Sequence, residues 1–323
     1  MSHNIRTGLS LLILAALIIF SGCGIWENHD SEDDTTASAA DEKIIFKCEE
    51  YEDASTRMKF FVQELQKLNK TGSSLSSEQL ATMKNYAGLL EVENANSFPL
   101  KTLEDQNVKI ETDKLYARIR KSVVIVGAIF SCPDCGKYHK KVIASGFVIG
   151  ANIIVTARHV IEKFKEKGIT GVMSEDGRVF PIKELLCVSN KYDDIVVLKI
   201  DGGGDLPSLP IAHNASVGTP VYCISNPGMF EKKDIMGYYS FTQGIISGKF
   251  QLGSVGNKHW RVLTITADIA PGSSGGPVVN ESGAVVGILS RTHTVSKQMT
   301  WKFVTPSSAL LAILSEPEQN PAN

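Results

Sequence analysis

Pro271-Gly272-Ser273-Ser274-Gly275-Gly276-Pro277 lies between two apolar runs, Val262-Leu263-Thr264-Ile265-Thr266 and the one opening at Val278-Val279, and both read as strands by their β-branched content. A serine flanked by glycines in a sharp strand-to-strand loop can hold its hydroxyl exposed, and glycine lets backbone approach a substrate closely. Consecutive main-chain N–H groups in such a loop can point into one concavity, as acyl transfer needs for its oxyanion. Alone, the stretch would equally suit an ordinary Gly/Ser turn. Two further stretches weigh against that. Ile154-Val155-Thr156-Ala157-Arg158-His159-Val160 ends an apolar strand on a histidine, and Tyr192-Asp193-Asp194-Ile195-Val196-Val197-Leu198-Lys199 opens a strand with acids. The order is His, Asp, Ser, with gaps of 35 residues from His159 to Asp194 and 80 from Asp194 to Ser274.

The three contexts, T-A-x-H-V, D-I-V-V-L and P-G-S-S-G-G-P, resemble the trypsin/chymotrypsin-like serine proteases, particularly the bacterial HtrA (Deg) branch. The resemblance covers residues 118–315 and takes in Ile224-Ser225-Asn226-Pro227-Gly228 and Thr242-Gln243-Gly244-Ile245-Ile246-Ser247. It implies a serine endopeptidase with Ser274 as nucleophile and His159 as general base, then acid. Asp194 rather than Asp193 would orient the imidazole, leaving Asp193 as a solvated loop acid. It also implies an oxyanion hole from the N–H groups of Gly272 and Ser274, and chemistry needing no metal or organic cofactor. Ser273 stands where enzymes activated by chain cleavage carry an Asp, so that charge-paired switch is not expected. Ser290, Arg291 and Thr292 align with the edge on which a substrate peptide pairs as an added antiparallel strand. Asp268, six residues before Ser274, stands where trypsin-like enzymes selective for Arg or Lys carry their acid. The other reading is a loop slightly shorter than in the HtrA branch, which makes Asp268 that branch's structural acid beside a small apolar pocket. An unpaired carboxylate buried in such a pocket would be costly, whereas a substrate guanidinium would satisfy it. The ungapped match Ala267-Asp268-Ile269-Ala270-Pro271-Gly272 tips the balance towards the basic preference. A catalytically retired protease fold serving as an envelope binding lipoprotein is the alternative function.

Elements to position these groups follow from the pattern of the chain. From residue 112 to 317, short apolar strands alternate with Gly/Pro turns: 121–130, 141–149, 153–156, 179–187, 195–200, 220–224, 237–250, 262–267, 277–279, 284–289 and 300–304. The fold class is mainly β, a double six-stranded β-barrel of the trypsin-like protease type. Gly202-Gly203-Gly204 and Pro207–Pro210 mark the link between barrels, and a closing helix is expected over Ala309–Leu314 after Pro306. Few residues remain after that helix, so the PDZ domain usual in the HtrA branch is not expected, and trimer assembly does not carry over.

Before the barrels, residues 44–111 change to a helical period. Met58, Phe61, Val62, Leu65 and Leu68 share one face. Ser76-x-x-Gln79 reads as a capping box opening a second helix with Leu80, Met83, Tyr86, Ala87 and Leu90 buried. This short α-helical hairpin must cover its stripe with the protease domain, another copy of the chain or an accessory protein.

Residues 1–22 read as a targeting segment. Arg6 supplies a positive n-region, and the apolar stretch Leu9 to Phe20 is 12 residues long with Ser10 as its polar exception, too short to span a bilayer. Phe20-Ser21-Gly22-Cys23 resembles a bacterial lipobox, which would make Cys23 the lipidated mature N-terminus and the membrane anchor; a plain secretory signal cleaved near Gly22 is the other reading. Gly24 leans, by resemblance, towards outer-membrane sorting. Residues 23–43 form an acidic tether, and 318–323 a tail. A net charge of −2 over 323 residues, with 43% hydrophobic and 21% charged residues, offers no reason to expect nucleic acid.

Six cysteines, less Cys23, leave Cys48, Cys132, Cys135, Cys187 and Cys223, an odd number. Cys132-Pro133-Asp134-Cys135 with His139 could be half of a zinc site, but no second ligand pair follows, and a local disulfide stiffening the turn is preferred.

Overall fold

Val123 to Ile129 are all buried, as the β-branched run Val-Val-Ile-Val demands of a strand with a packed surface on both faces. In the computed structural model, which describes residues 54–68, 75–76, 78–81, 88–89, 102–103, 108–164, 168–229, 235–255 and 258–315, this strand belongs to the first of two closed barrels. The first barrel comprises β1 (Val123–Ser131), β2 (Tyr138–Gly150), β3 (Ile153–Ala157), β4 (Ile169–Met173), β5 (Val179–Val188) and β6 (Ile195–Ile200). The second comprises β7 (Pro220–Ser225), β8 (Ser240–Val255), β9 (Lys258–Ile265), β10 (Pro277–Val279), β11 (Val285–Val295) and β12 (Met299–Pro306).

All neighbours within each barrel are antiparallel. The first closes in the order β1-β2-β3-β6-β5-β4 and the second in the order β7-β8-β9-β12-β11-β10. The two orders are the same permutation displaced by six strands, and closure removes the open edges each sheet would otherwise present. Short two-residue strands extend both: Gly88–Leu89 pairs with β5, while Ile211–Ala212 lies parallel to β11 and Thr102–Leu103 parallel to Ile211–Ala212.

Most strands fall where the alternation places them. Strand β4 does not appear in the sequence reading because Gly171 interrupts its short Ile-Thr-Gly-Val-Met run. That glycine has a packing reason. Gly127 on β1 and Gly171 on β4 are directly paired, and together they leave a shallow recess on the barrel wall. Helix α1 (Ala54–Leu68) fills it: a Cβ at Gly127 would stand 2.5 Å from the Phe61 ring, and one at Gly171 2.6 Å from Leu65. Met58, Phe61 and Leu65 are buried here, so the amphipathic stripe is covered by this chain's own barrel. Arg57, also buried, donates to the Glu175 carbonyl at 3.1 Å and lies over the rings of Tyr238 and Tyr239. The helix therefore reaches the connection between β7 and β8 of the second barrel. Phe61→Ala should cost about 3–5 kcal/mol of stability, seen as a lower urea midpoint at unchanged slope; an unchanged midpoint would remove α1 from the folded core.

The second helical expectation needs correction. The capping box is present, with Ser76 N–H donating to Gln79 Oε1 at 2.9 Å and Gln79 N–H to Ser76 Oγ at 3.1 Å, and residues 78–81 are helical with Leu80 buried. However, Gly88–Leu89 form strand pairs with Val188 and Cys187, so the helix does not run on to Leu90. Met83, Tyr86, Ala87 and Leu90 lie outside the described residues, as do the targeting segment, Cys23, the tether, Cys48 and the tail. Helix α2 (Thr112–Ile119) leads into β1, helix α3 (Arg158–Ile161) follows β3, and helix α4 (Ser307–Ser315) closes the chain, two residues longer at its start than expected. Among the described residues no helix is long and apolar enough to cross a membrane.

Candidate active site

Strand β3 ends at Ala157 and the chain turns at once into α3, which puts His159 in the helix's first turn, at the mouth between the barrels. Asp194 comes from the turn entering β6 and holds φ at +57°. Ser274 comes from the loop between β9 and β10 in the second barrel. His159 Nε2 lies 3.0 Å from Ser274 Oγ, and His159 Nδ1 lies 2.8 Å from Asp194 Oδ2. An ionised carboxylate only accepts hydrogen bonds, so the ring proton sits on Nδ1, leaving the Nε2 lone pair to accept from the serine hydroxyl. The structure thus joins all three residues in one relay, across 115 residues of chain between His159 and Ser274.

Asp194 is 2% exposed. Burial alone would raise its pKa, but the His159 ring, through its hydrogen bond and charge, the Ser290 hydroxyl and the His159 backbone N–H outweigh burial and hold it below its ordinary value. The backbone contacts fix its position twice over: His159 N–H donates to Asp194 Oδ1 at 2.9 Å, and Arg158 N–H donates to the Asp194 carbonyl at 3.0 Å. The Ser290 Oγ–H donates to Asp194 Oδ2.

Asp193 plays a different part. Its carboxylate accepts from Asn190 Nδ2 at 2.6 Å and its own N–H donates to Asn190 Oδ1, so it orders the turn and is half-buried instead of solvated.

The Ser274 loop is pinned to the first barrel by backbone. Ser145 N–H on β2 donates to the Ser274 carbonyl at 3.0 Å. Gly275, at φ +84°, packs so tightly that a Cβ there would fall 2.2 Å from Thr156 Oγ1 and 2.3 Å from the Ser145 carbonyl. Only glycine fits both the conformation and the gap. Ser145 Oγ–H donates to the Gly272 carbonyl at 2.9 Å and itself accepts from the Asn226 N–H at 2.8 Å. The Pro271 carbonyl accepts from Gly228 N–H at 2.8 Å. In a trans peptide the N–H points opposite the carbonyl, so this bond turns the Gly272 N–H away from Gly228. Among the described residues no group accepts from the N–H of Gly272 or of Ser274. The buried Ser273 hydroxyl accepts from Ser225 Oγ at 3.0 Å and from Ala270 N–H at 3.3 Å, neutral partners with no charged group to switch.

The specificity expectations fare unevenly. Asp268 does not stand unpaired in a buried pocket: its side chain is 87% exposed and takes an ion pair from Lys302 Nζ at 2.6 Å. The buried, unpaired carboxylate from which the basic preference is argued is therefore not the arrangement found. The Ser290 side chain is buried against Asp194. Past Ile288 the pairing of β11 with β10 stops, while β11 stays paired on its other side with β12, Arg291 opposite Phe303 and Thr292 opposite Lys302. The backbone edge running through Ser290, Arg291 and Thr292 is thus left beside Ser274, whose Oγ lies 3.1 Å from the Ser290 carbonyl.

Two positioning groups escaped the sequence reading, Ser145 and the Ser290 hydroxyl. Ser145 meets Asn226 from 81 and Gly272 from 127 residues away, and no local pattern carries such a contact.

Residues 144–288, which contain His159, Asp194 and Ser274, match the family model of the trypsin-like peptidase domain. The serine endoprotease DegS of Escherichia coli strain K12 is 36% identical over 139 residues, 42% of this chain and 35% of that protein. The DegS of Salmonella typhimurium is 35% identical over 137 residues, again 42% of this chain and 35% of the relative. A probable periplasmic serine endoprotease DegP-like from Pseudomonas savastanoi pv. phaseolicola is 35% identical over 159 residues, 48% of this chain and 30% of that protein. The chain spans about a third of the length of these curated relatives.

Proposed function

We propose, from the premise of a trypsin-like peptidase domain over residues 144–288, that this chain is a serine endopeptidase of the bacterial cell envelope. The observation that carries the reading is the unbroken relay Asp194–His159–Ser274 at 2.8 and 3.0 Å, assembled from two barrels. In the proposed reaction, His159 Nε2 takes the Ser274 proton as Oγ attacks the peptide carbonyl. The same proton then goes to the leaving amine, and an ester to Ser274 remains. Water, deprotonated by His159, hydrolyses that ester and restores the serine. Asp194 keeps the ring in the productive tautomer and stabilises the imidazolium.

The N–H groups of Gly272 and Ser274 would receive the oxyanion. Their lack of partners among the described residues supports this, because a donor already committed would have to be released at each turnover. Loss of one such donor is worth about 2.7–4 kcal/mol. The substrate backbone would pair along Ser290–Thr292.

Protein or peptide chains of the envelope are the proposed substrates. The relatives' printed names, one of them periplasmic, support this, as does the lipobox-like Phe20-Ser21-Gly22-Cys23 as an anchor. A fluorophosphonate probe tests the chemistry directly. The full chain should be labelled and Ser274→Ala should not. Absence of labelling in the parent, or equal labelling in the variant, would leave a retired fold that only binds.

A further inference from the structure

The turn between β1 and β2 closes on itself: Cys132 N–H donates to the Lys137 carbonyl and Gly136 N–H to the Cys132 carbonyl, each at 2.9 Å. Gly136 holds φ at +69°, the left-handed conformation that lets the chain reverse immediately after Cys135. His139, in β2, is the cross-strand partner of Phe130, and their rings lie 6.0 Å apart. That register aims the imidazole back over the turn, with Nε2 at 3.0 Å from Cys135 Sγ.

Cys132 and Cys135 are thiols here, not the disulfide expected from their spacing. Their sulfurs and the His139 ring nitrogen all lie within 4.8 Å of one another. Around a tetrahedral zinc, with Zn–S about 2.3 Å and Zn–N about 2.0 Å, ligand atoms are about 3.5–3.8 Å apart. Movements of about 1 Å in side chains at the protein surface would therefore suffice. We propose that Cys132, Cys135 and His139 bind one zinc ion at the tip of this hairpin, with water in the fourth position.

The chemistry of the donor set selects the metal. Two thiolates and an imidazole favour zinc over the oxygen-seeking magnesium and calcium. Binding releases two thiol protons, so two thiolates neutralise the cation. Among the described residues no fourth protein ligand joins the three. The ion would tie the turn to the second residue of β2, shortening the loop that is free in the unfolded chain. None of this depends on the relay at Ser274.

Histidine separates the metal from the disulfide, since a Cys132–Cys135 bond needs no imidazole. The test uses the full chain, reduced, incubated with zinc chloride and dialysed. Elemental analysis should find one zinc per chain. Cys135→Ser and His139→Ala should each lower zinc affinity by more than the about 10–100-fold that follows loss of an outer partner of a ligand. Both side chains are exposed, and unchanged circular dichroism will show that the barrels are intact. Cobalt in place of zinc should give a sulfur-to-metal absorption band that Cys135→Ser weakens. Three results would each overturn the proposal: no zinc retained, equal retention in His139→Ala, or closure of the disulfide in the presence of equimolar zinc.

Discussion

Replacing Ser274 or His159 by alanine should lower kcat on an unfolded protein substrate by about 10⁶-fold while the protein stays folded. The two groups act on one proton, held between Oγ and Nε2 at 3.0 Å, so neither has a role without the other. The Ser274→Ala, His159→Ala double variant should therefore be no slower than either single one. Multiplying effects would mean two independent contributions and would break the proposed mechanism. Residual turnover above the uncatalysed rate is expected from the Gly272 and Ser274 N–H groups, which both substitutions leave in place. The fold should tolerate the changes, because both side chains are only partly buried and neither belongs to a hydrophobic core.

Asp194→Asn is the second large effect, about 10⁴-fold in kcat. An amide can place its NH₂ against Nδ1, which forces the ring proton onto Nε2, where it can no longer accept from Ser274. Ser290→Ala should be far milder, because it removes one of several donors to a carboxylate that keeps His159. The same pair of variants separates stability from catalysis. Asp194 is held below its ordinary value of 3.8, so its contribution to native stability is complete above that value and is lost as pH falls through the lower native one. In Asp194→Asn that acid-side loss should disappear from the pH dependence of the urea midpoint. If Asp194→Asn retained more than about a tenth of the parental kcat, the tautomer argument would fail.

Much of the barrel fold was legible because its causes are local. Alternating β-branched residues bounded by Gly, Pro and Asp declare strands wherever they occur, and Ile195–Ile200 and Pro277–Val279 fall at the residues expected. The Ser76/Gln79 capping box was equally plain, since both of its hydrogen bonds are closed within four residues. Strand β4 was not legible, because its central Gly171 answers to Leu65, more than a hundred residues away, and not to its own neighbours. The end of the second helix was missed for a similar reason: Gly88–Leu89 pair with β5, and that pairing outweighs the local helical period.

The chemistry divides along the same line. The identities and order of His159, Asp194 and Ser274 are written in short motifs, because the proposed nucleophile needs its glycines and the proposed base its strand end within a few residues. Charge environment is not local. Asp268 reads as an unpaired acid, and only the fold brings Lys302, 34 residues on, to its exposed carboxylate. Ser290 reads as part of a substrate-pairing backbone edge, and only folding shows that its hydroxyl meets Asp194, 96 residues back. Cys132 and Cys135 suggest a disulfide until β2 pairs with β1 and brings His139 over them. Sequence alone determines which groups are available and which elements carry them, because spacing along a strand or turn is set by backbone geometry. Only the tertiary structure decides what each group faces, since that depends on chain closure across the two barrels, where the partner is chosen by register and packing.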